Sequence, residues 1–191
     1  MEYNNPSEIV KDLNYGSDAK LKIMQGVDKL TKAVKSTLGA SGKCVIYEDA
    51  MGRPVITKDG VTVAESVVLL DPVENIGATL IKEAARNTVK EAGDGTTTAT
   101  VLANSLVHLT MNAEGDNNAR EIKKGLSSGL NKVTKFLNKK AVQVTEDMLE
   151  GVAAISCNND KALGKVISQA YSKVGKDGVV LMEESETHDT Y

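Results

Sequence analysis

Ala92-Gly93-Asp94-Gly95-Thr96-Thr97-Thr98-Ala99-Thr100-Val101-Leu102-Ala103 reads as a loop that turns directly into a helix. Gly93 closes a helical run on its N-terminal side, Asp94 supplies a carboxylate, and Gly95 lets a ligand approach the backbone closely. Thr96, Thr97 and Thr98 then place three hydroxyls on the first turn, where free N–H groups and the positive end of the helix dipole converge. Such a turn suits phosphate, and Asp94 is placed to hold the Mg²⁺ that accompanies a nucleoside triphosphate. An Asp-Gly turn followed by a Thr-rich cap has the same letters, so the decision falls to other segments.

Two of these carry phosphate-suited groups. Thr37-Leu38-Gly39-Ala40-Ser41-Gly42-Lys43 is a glycine-bracketed loop leaving a helix, flexible enough to lie against phosphates, or else a plain helix end and turn. Thr57-Lys58-Asp59-Gly60 sets an ammonium beside a carboxylate in a tight turn. Lys58 would neutralise phosphate charge, and Asp59 would orient or deprotonate an attacking water. The chain has no Gly-x-x-x-x-Gly-Lys-Ser/Thr run, which excludes a P-loop NTPase.

Around these loops the hydrophobic pattern is mainly helical. Ile23, Val27, Leu30, Val34 and Leu38 recur at the 3.6 period after a Ser17-Asp18 cap, and Gly39 is expected to end that helix. Asp71-Pro72 starts another, carried by Val73, Ile76, Leu80, Ala84 and Val89 to Gly93. The helix after the threonines should bury Ala99, Leu102, Leu106 and Leu109. A fourth follows Asn117-Asn118, with Ile122, Leu126, Leu130, Val133 and Leu137 in register and a solvated lysine face opposite. Residues 43–48 and 53–57 read as a small hairpin, which is rarely stable alone. Beyond residue 145 come a short helix, a helix with Leu163, Val166, Ile167, Ala170 and Val174, and a strand Val179-Val180-Leu181-Met182.

Composition narrows the function classes. With 23 basic against 26 acidic residues, net charge −3, there is no electrostatic case for nucleic acid. The apolar run at residues 67–70 is far too short to span a membrane, and the polar N-terminal residues do not read as a signal peptide. Cys44 and Cys157 have no CxxC partner and read as reduced thiols of a cytoplasmic protein. With one Phe and no Trp, the core must be aliphatic.

Taken in order, the segments resemble the amino-terminal part of a bacterial-type (group I) chaperonin. The matching stretches are Thr37-Leu38-Gly39, Ile56-Thr57-Lys58-Asp59-Gly60-Val61, Glu74-Asn75-Ile76-Gly77-Ala78, Lys82-Glu83 and the long run from Ala92 to Ala103. Further on lie Ile155-Ser156 with Asn158 and Asp160, then Val174-Gly175-Lys176 with Gly178-Val179. The drift from ordinary cellular versions would suit a viral member.

The resemblance implies a mainly α fold with small β elements. Residues 1–140 would form the amino-terminal part of an ATP-binding, ring-forming equatorial domain, and residues 141–191 the first half of an α/β intermediate (hinge) domain. By the same resemblance, Thr37, Leu38, Gly39 and Ala40 wrap the phosphates of ATP. Lys58 sits near a phosphate or a monovalent cation such as K⁺, Asp94 ligates Mg²⁺, and Gly95, Thr96, Thr97 and Thr98 bind phosphate oxygens. Asp59 supports hydrolysis, while Ile155 and Ser156 line the nucleotide pocket. Residues 43–57 match a stem-loop that pairs with an adjacent subunit of a homo-oligomeric ring. Ala40-Ser41 stands where the family usually has Pro-Lys, which loosens that loop.

The domain that binds unfolded clients and a co-chaperonin, a second hydrolytic carboxylate and the adenine contacts would all lie beyond Tyr191. ATP hydrolysis by these 191 residues alone is therefore expected to be feeble. The expected function is that of an ATP-dependent chaperonin subunit assisting protein folding. The rival is a non-enzymatic truncated module that joins a ring through its hairpin and N-terminal arm.

Overall fold

A computed structural model describes residues 11–39, 41–112, 118–175, 178–181 and 183. Among these are seven helices and one two-stranded hairpin: α1 (Gly16–Lys35), β1 (Val45–Glu48), β2 (Pro54–Thr57), α2 (Gly60–Ser66), α3 (Pro72–Ala92), α4 (Thr96–Met111), α5 (Ala119–Lys140), α6 (Glu146–Ser156) and α7 (Lys161–Val174). The mainly α character is as the periodicity predicts. The chain divides into two compact units, residues 1–122 and 123–191. That division falls inside α5, near its start.

In the first unit, α1, α2 and α3 enclose a core of Val27, Leu30, Val34, Val63, Ala64, Ala78 and Ile81, with Ala103 of α4 packed against it. The core is aliphatic, as the near-absence of aromatic residues requires. The axis of the unit is the crossing of α1 over α3 at two glycines. A Cβ on Gly26 would lie 1.8 Å from the Glu74 carbonyl oxygen, and one on Gly77 would lie 2.1 Å from that of Ile23. The two backbones are therefore nearly in contact. Ion pairs flank the crossing, Lys22–Asp71 at 2.7 Å and Lys29–Glu74 at 2.5 Å. The carboxylates are half-buried while the ammonium groups stay in reach of water, so the pairs orient the crossing more than they stabilise it.

The structure corrects four expectations. First, α1 ends at Lys35, so Thr37, Leu38 and Gly39 already belong to the loop. Second, α3 buries Val73, Gly77, Ala78, Ile81, Lys82 and Ala85, leaving Ile76 and Leu80 of the expected stripe exposed. Third, α4 buries Thr96 and Thr100 while Leu102, Leu106 and Leu109 face outward. In α4 the period was right and the face was wrong; in α3 the buried face keeps Val73 but turns from Ile76 and Leu80 toward Gly77, Ala78 and Ile81, where α1 approaches closely. Fourth, Val179, Val180 and Leu181 form no strand, and Met182 lies outside the described residues. A lone strand has no ladder to satisfy its amides, and the described residues offer it none.

The hairpin pairs Val45 with Thr57 and Ile46 with Ile56, close to the expected limits. Ile46 and Ile56 form its exposed face. The N-terminal arm lies outside the described residues up to Val10, and Cys44 and Cys157 are free thiols. No helix among the described residues is long and apolar enough to cross a membrane. The second unit is built on α6 against α7, which meet where Gly164 faces Ala154; a Cβ there would lie 2.7 Å from the Ala154 Cα. No residue of α5 is buried.

Candidate functional site

α3 ends in a left-handed Gly93 (φ 76), and Gly95 at the head of α4 is left-handed too (φ 88). Side chains with a Cβ rarely adopt that region, so the two glycines are what allow the chain to bend sharply on both sides of Asp94. The Asp94 Oδ1 accepts the Gly95 amide at 2.6 Å, and among the described residues Oδ2 has no hydrogen-bond partner. Helices α2, α3 and α7 each satisfy their first amides with an aspartate cap: Asp59, Asp71 and Asp160. α4 does not, since its cap is a glycine without a side chain, and its first-turn N–H groups remain available.

Two other segments meet this turn. The Thr37 hydroxyl lies 3.4 Å from that of Thr97 and also donates to the Val34 carbonyl at 2.8 Å. The loop behind Thr37 is closed by Gly42 donating to the Gly39 carbonyl and Lys43 donating to that of Ser36. Gly60, the first residue of α2, abuts the same turn: a Cβ there would lie 2.3 Å from Thr97 Oγ1 and 3.3 Å from Thr96 Oγ1. The three segments that looked phosphate-suited in the sequence therefore converge on Thr97. The three hydroxyls of the turn do not share one direction, because Thr96 is buried, Thr97 faces Thr37 and Gly60, and Thr98 is exposed. What they share is the row of backbone amides.

Asp59 is not the apex of a tight turn but the N-cap of α2, a helix the sequence reading missed. Its Oδ2 accepts from the Thr62 amide at 2.8 Å and the Thr62 hydroxyl at 2.5 Å. Partial desolvation opposes its ionisation, yet the bonds from Thr62 and the Val61 amide outweigh this and hold its carboxyl below the usual carboxylate range. The missed signal was Asp59-Gly60-Val61-Thr62, an N-cap with a hydroxyl at the third following position. Lys58 is exposed beside it, and Leu38 and Gly39 are exposed in the Thr37 loop. Ala40 lies outside the described residues. Ile155 and Ser156 lie exposed at the C-terminal end of α6, in the second unit.

Depressed carboxylates give the first unit a definite pH response. Lys22 beside Asp71, and Arg86 beside Glu65, hold those carboxyls below the usual range as the Thr62 bonds do for Asp59. A depressed folded value adds stability above the unfolded value, and that stability is lost as pH falls through the folded value. Thermal midpoints should thus be steady near neutrality and drop below about pH 4. Asp59→Asn, which keeps a capping oxygen but cannot titrate, should flatten that drop; an unchanged profile would refute the depressed state of Asp59.

The profile of the TCP-1/cpn60 chaperonin family matches residues 30–191. The chain belongs to that family. Its fold is also similar to two crystal structures of the chaperonin gp146 from the bacteriophage EL 2 (Pseudomonas aeruginosa), both in presence of ATP-BeFx. At 32% identity the TM-scores are 0.73 and 0.74 over 83% of this chain. This chaperonin chain spans 28% and 29% of the chain in those two crystal forms of one protein. That protein is viral, the class of relative that the sequence drift suggested.

Proposed function

We propose that the first unit binds Mg-ATP on the Thr97 turn and serves the nucleotide-driven cycle of a chaperonin subunit that assists protein folding. The observation that carries this reading is the meeting of Thr37, Gly60 and Thr97, drawn from three distant segments onto an uncapped helix start. Phosphate oxygens take the amides of Thr96 to Thr98 and the hydroxyls of Thr37 and Thr97, past Gly95, where the helix dipole favours their charge. Leu38, Gly39 and Ala40 continue the wrap, and Lys58 balances charge from the other side, next to a phosphate or a K⁺ ion.

Asp94 fits Mg²⁺, which is commonly held by one or two carboxylates together with phosphate oxygens and waters, and its Oδ2 is the free oxygen. The ion, when bound, neutralises charge developing on the phosphates. Asp59 stays ionised at neutral pH, and a carboxyl held below its usual range is a poor base. Its role is therefore to orient the attacking water, which is most of what phosphoryl transfer requires. Ile155 and Ser156 are not needed for this reading.

Binding should require Mg²⁺ and should fall by about tenfold or more, about 1.4 kcal/mol, in Asp94→Ala, which removes the ion's protein carboxylate. Calorimetric titration with ATP, with and without Mg²⁺, measures this; equal affinity in the variant would overturn the assignment of Asp94. Assembly into a cytoplasmic ring of like subunits, with unfolded proteins and a co-chaperonin as further partners, belongs to the same proposal. The hairpin supports it, because each strand of a two-stranded sheet keeps one unpaired edge that can recruit another chain, and Ile46 and Ile56 leave one face apolar and exposed. A chain that stays monomeric in sedimentation at high concentration would remove the hairpin from that role.

A further inference from the structure

α2 is two turns long, and a helix of seven residues has no stability of its own. Val63 and Ala64 seat its middle in the core, and its register along that seat is set by what holds its two ends. The first end is the Asp59 cap and the contact of Gly60 with Thr97. The second end is gripped by two cations of α3, one turn apart. Arg86 places Nε 2.6 Å from Glu65 Oε1 and Nη2 2.7 Å from Oε2, a two-pronged fork that fixes direction as well as distance. Lys82 donates to the main-chain carbonyl of Glu65 at 3.3 Å, where the negative end of the helix dipole favours a cation.

Lys82 is only 7% exposed, and lysines are almost never buried so fully unless paired. Burial pushes its ammonium below the usual lysine range, only partly offset by Glu65. The buried Lys82 bonds main chain and the Arg86–Glu65 fork lies at the surface, where such a pair adds little stability, so both are better read as fixing placement. The placement matters because α3 carries both ends of the device: its middle holds Glu65 and its last residue leads into Asp94. α2 in turn runs about 9 Å from Glu65 to Asp59 at the rise of a helix. Gly60 leaves no room for drift toward Thr97.

We propose that Arg86, acting through Glu65 together with Lys82, is the positioning group that sets where Asp59 stands against the turn that follows Gly93. This rests on the reading of Asp59 and Asp94 as parts of one nucleotide site, but its test needs no nucleotide. In the full 191-residue chain, amide exchange across α2 and the titration of the Asp59 carboxyl by carbon NMR are compared among the parent, Arg86→Met and Glu65→Gln.

In either variant α2 amides should exchange at least tenfold faster relative to those of α1, and the Asp59 midpoint should rise toward an ordinary carboxylate. The double variant should be no worse than either single one, because the two side chains act as one unit. Parent-like α2 exchange and Asp59 titration overturn the proposal. So does a uniform loss of protection with Asp59 unchanged, which would make the clamp merely structural. Should Arg86→Met fail to fold, Arg86→Lys keeps the charge without the fork and must still loosen α2; parent-like values there count against it equally. The nucleotide reading fails by a different measurement, Mg-ATP affinity in the calorimetric titration, so the two failures are distinguishable.

Discussion

Gly26→Ala should lower the thermal midpoint of the first unit by about 10 °C or more. Overpacking a core commonly costs about 1–3 kcal/mol, and a domain of this size loses several degrees per kcal/mol. The upper end applies here because the added methyl would meet main chain, 1.8 Å from the Glu74 carbonyl oxygen. No rotamer can relieve a clash between two helix backbones, so α1 and α3 must separate. The buried face of α3 and the Ala103 side of α4 would then lose contacts together. Gly77→Ala should behave alike, since its methyl would strike the Ile23 carbonyl. Gly125 on α5 is the control, with nothing within 4 Å of its Cβ position. Gly125→Ala should be neutral or stabilise by up to about 1 kcal/mol, the helix preference for alanine. Scanning calorimetry of the three variants decides it, and a Gly26→Ala chain melting with the parent would contradict the close crossing.

Gly60→Val is expected to weaken Mg-ATP binding by tenfold or more while leaving the helical content nearly unchanged. Gly60 sits at the start of α2 with an ordinary backbone, so the substitution is locally tolerable. Its Cβ, however, would lie 2.3 Å from Thr97 Oγ1 and 3.4 Å from Thr97 Cβ. Threonine is stiff at χ1, and turning it aside would break its approach to the Thr37 hydroxyl at 3.4 Å. Either the turn after Asp94 withdraws from Thr37 or α2 withdraws from the turn, and in both cases the three-sided cradle opens. A tenfold loss corresponds to about 1.4 kcal/mol, modest for moving several phosphate donors out of range. Circular dichroism and calorimetry together measure this; parent-like affinity in Gly60→Val would show that the cradle is not where the phosphates bind.

Much of the site could be read from the chain because its parts are local devices. A glycine pair around an aspartate, followed by threonines opening a helix, specifies a bend and an uncapped turn from neighbouring residues alone. The helix of Asp71-Pro72 was legible for the same reason, a cap followed by Pro at the first position. The faces of α3 and α4 were not legible. Leu102, Leu106, Ile76 and Leu80 form apolar stripes of the right period, yet α4 buries Thr96 and Thr100, and α3 buries Gly77, Ala78 and Ala85 alongside Val73, Ile81 and Lys82. Periodicity marks where bulk recurs, whereas the close crossing of α1 and α3 is made at Gly26 and Gly77. α2 escaped notice because it is too short to show a period at all. Nor could spacing reveal that Gly60, Thr37 and Thr97 meet, since each pair is separated by dozens of residues and joined only by the packing of α1, α2 and α4.

In the proposed function one nucleotide is held by three segments of the first unit. Amide chemical shifts of the labelled 191-residue chain, followed during titration with Mg-ATP, test it most directly. Thr37 to Gly39, Lys58 to Gly60 and Asp94 to Thr98 should move together with one apparent Kd, and Asp94→Ala should suppress all three sets. Shifts confined to the lysine face of α5, or none at millimolar nucleotide, would contradict it.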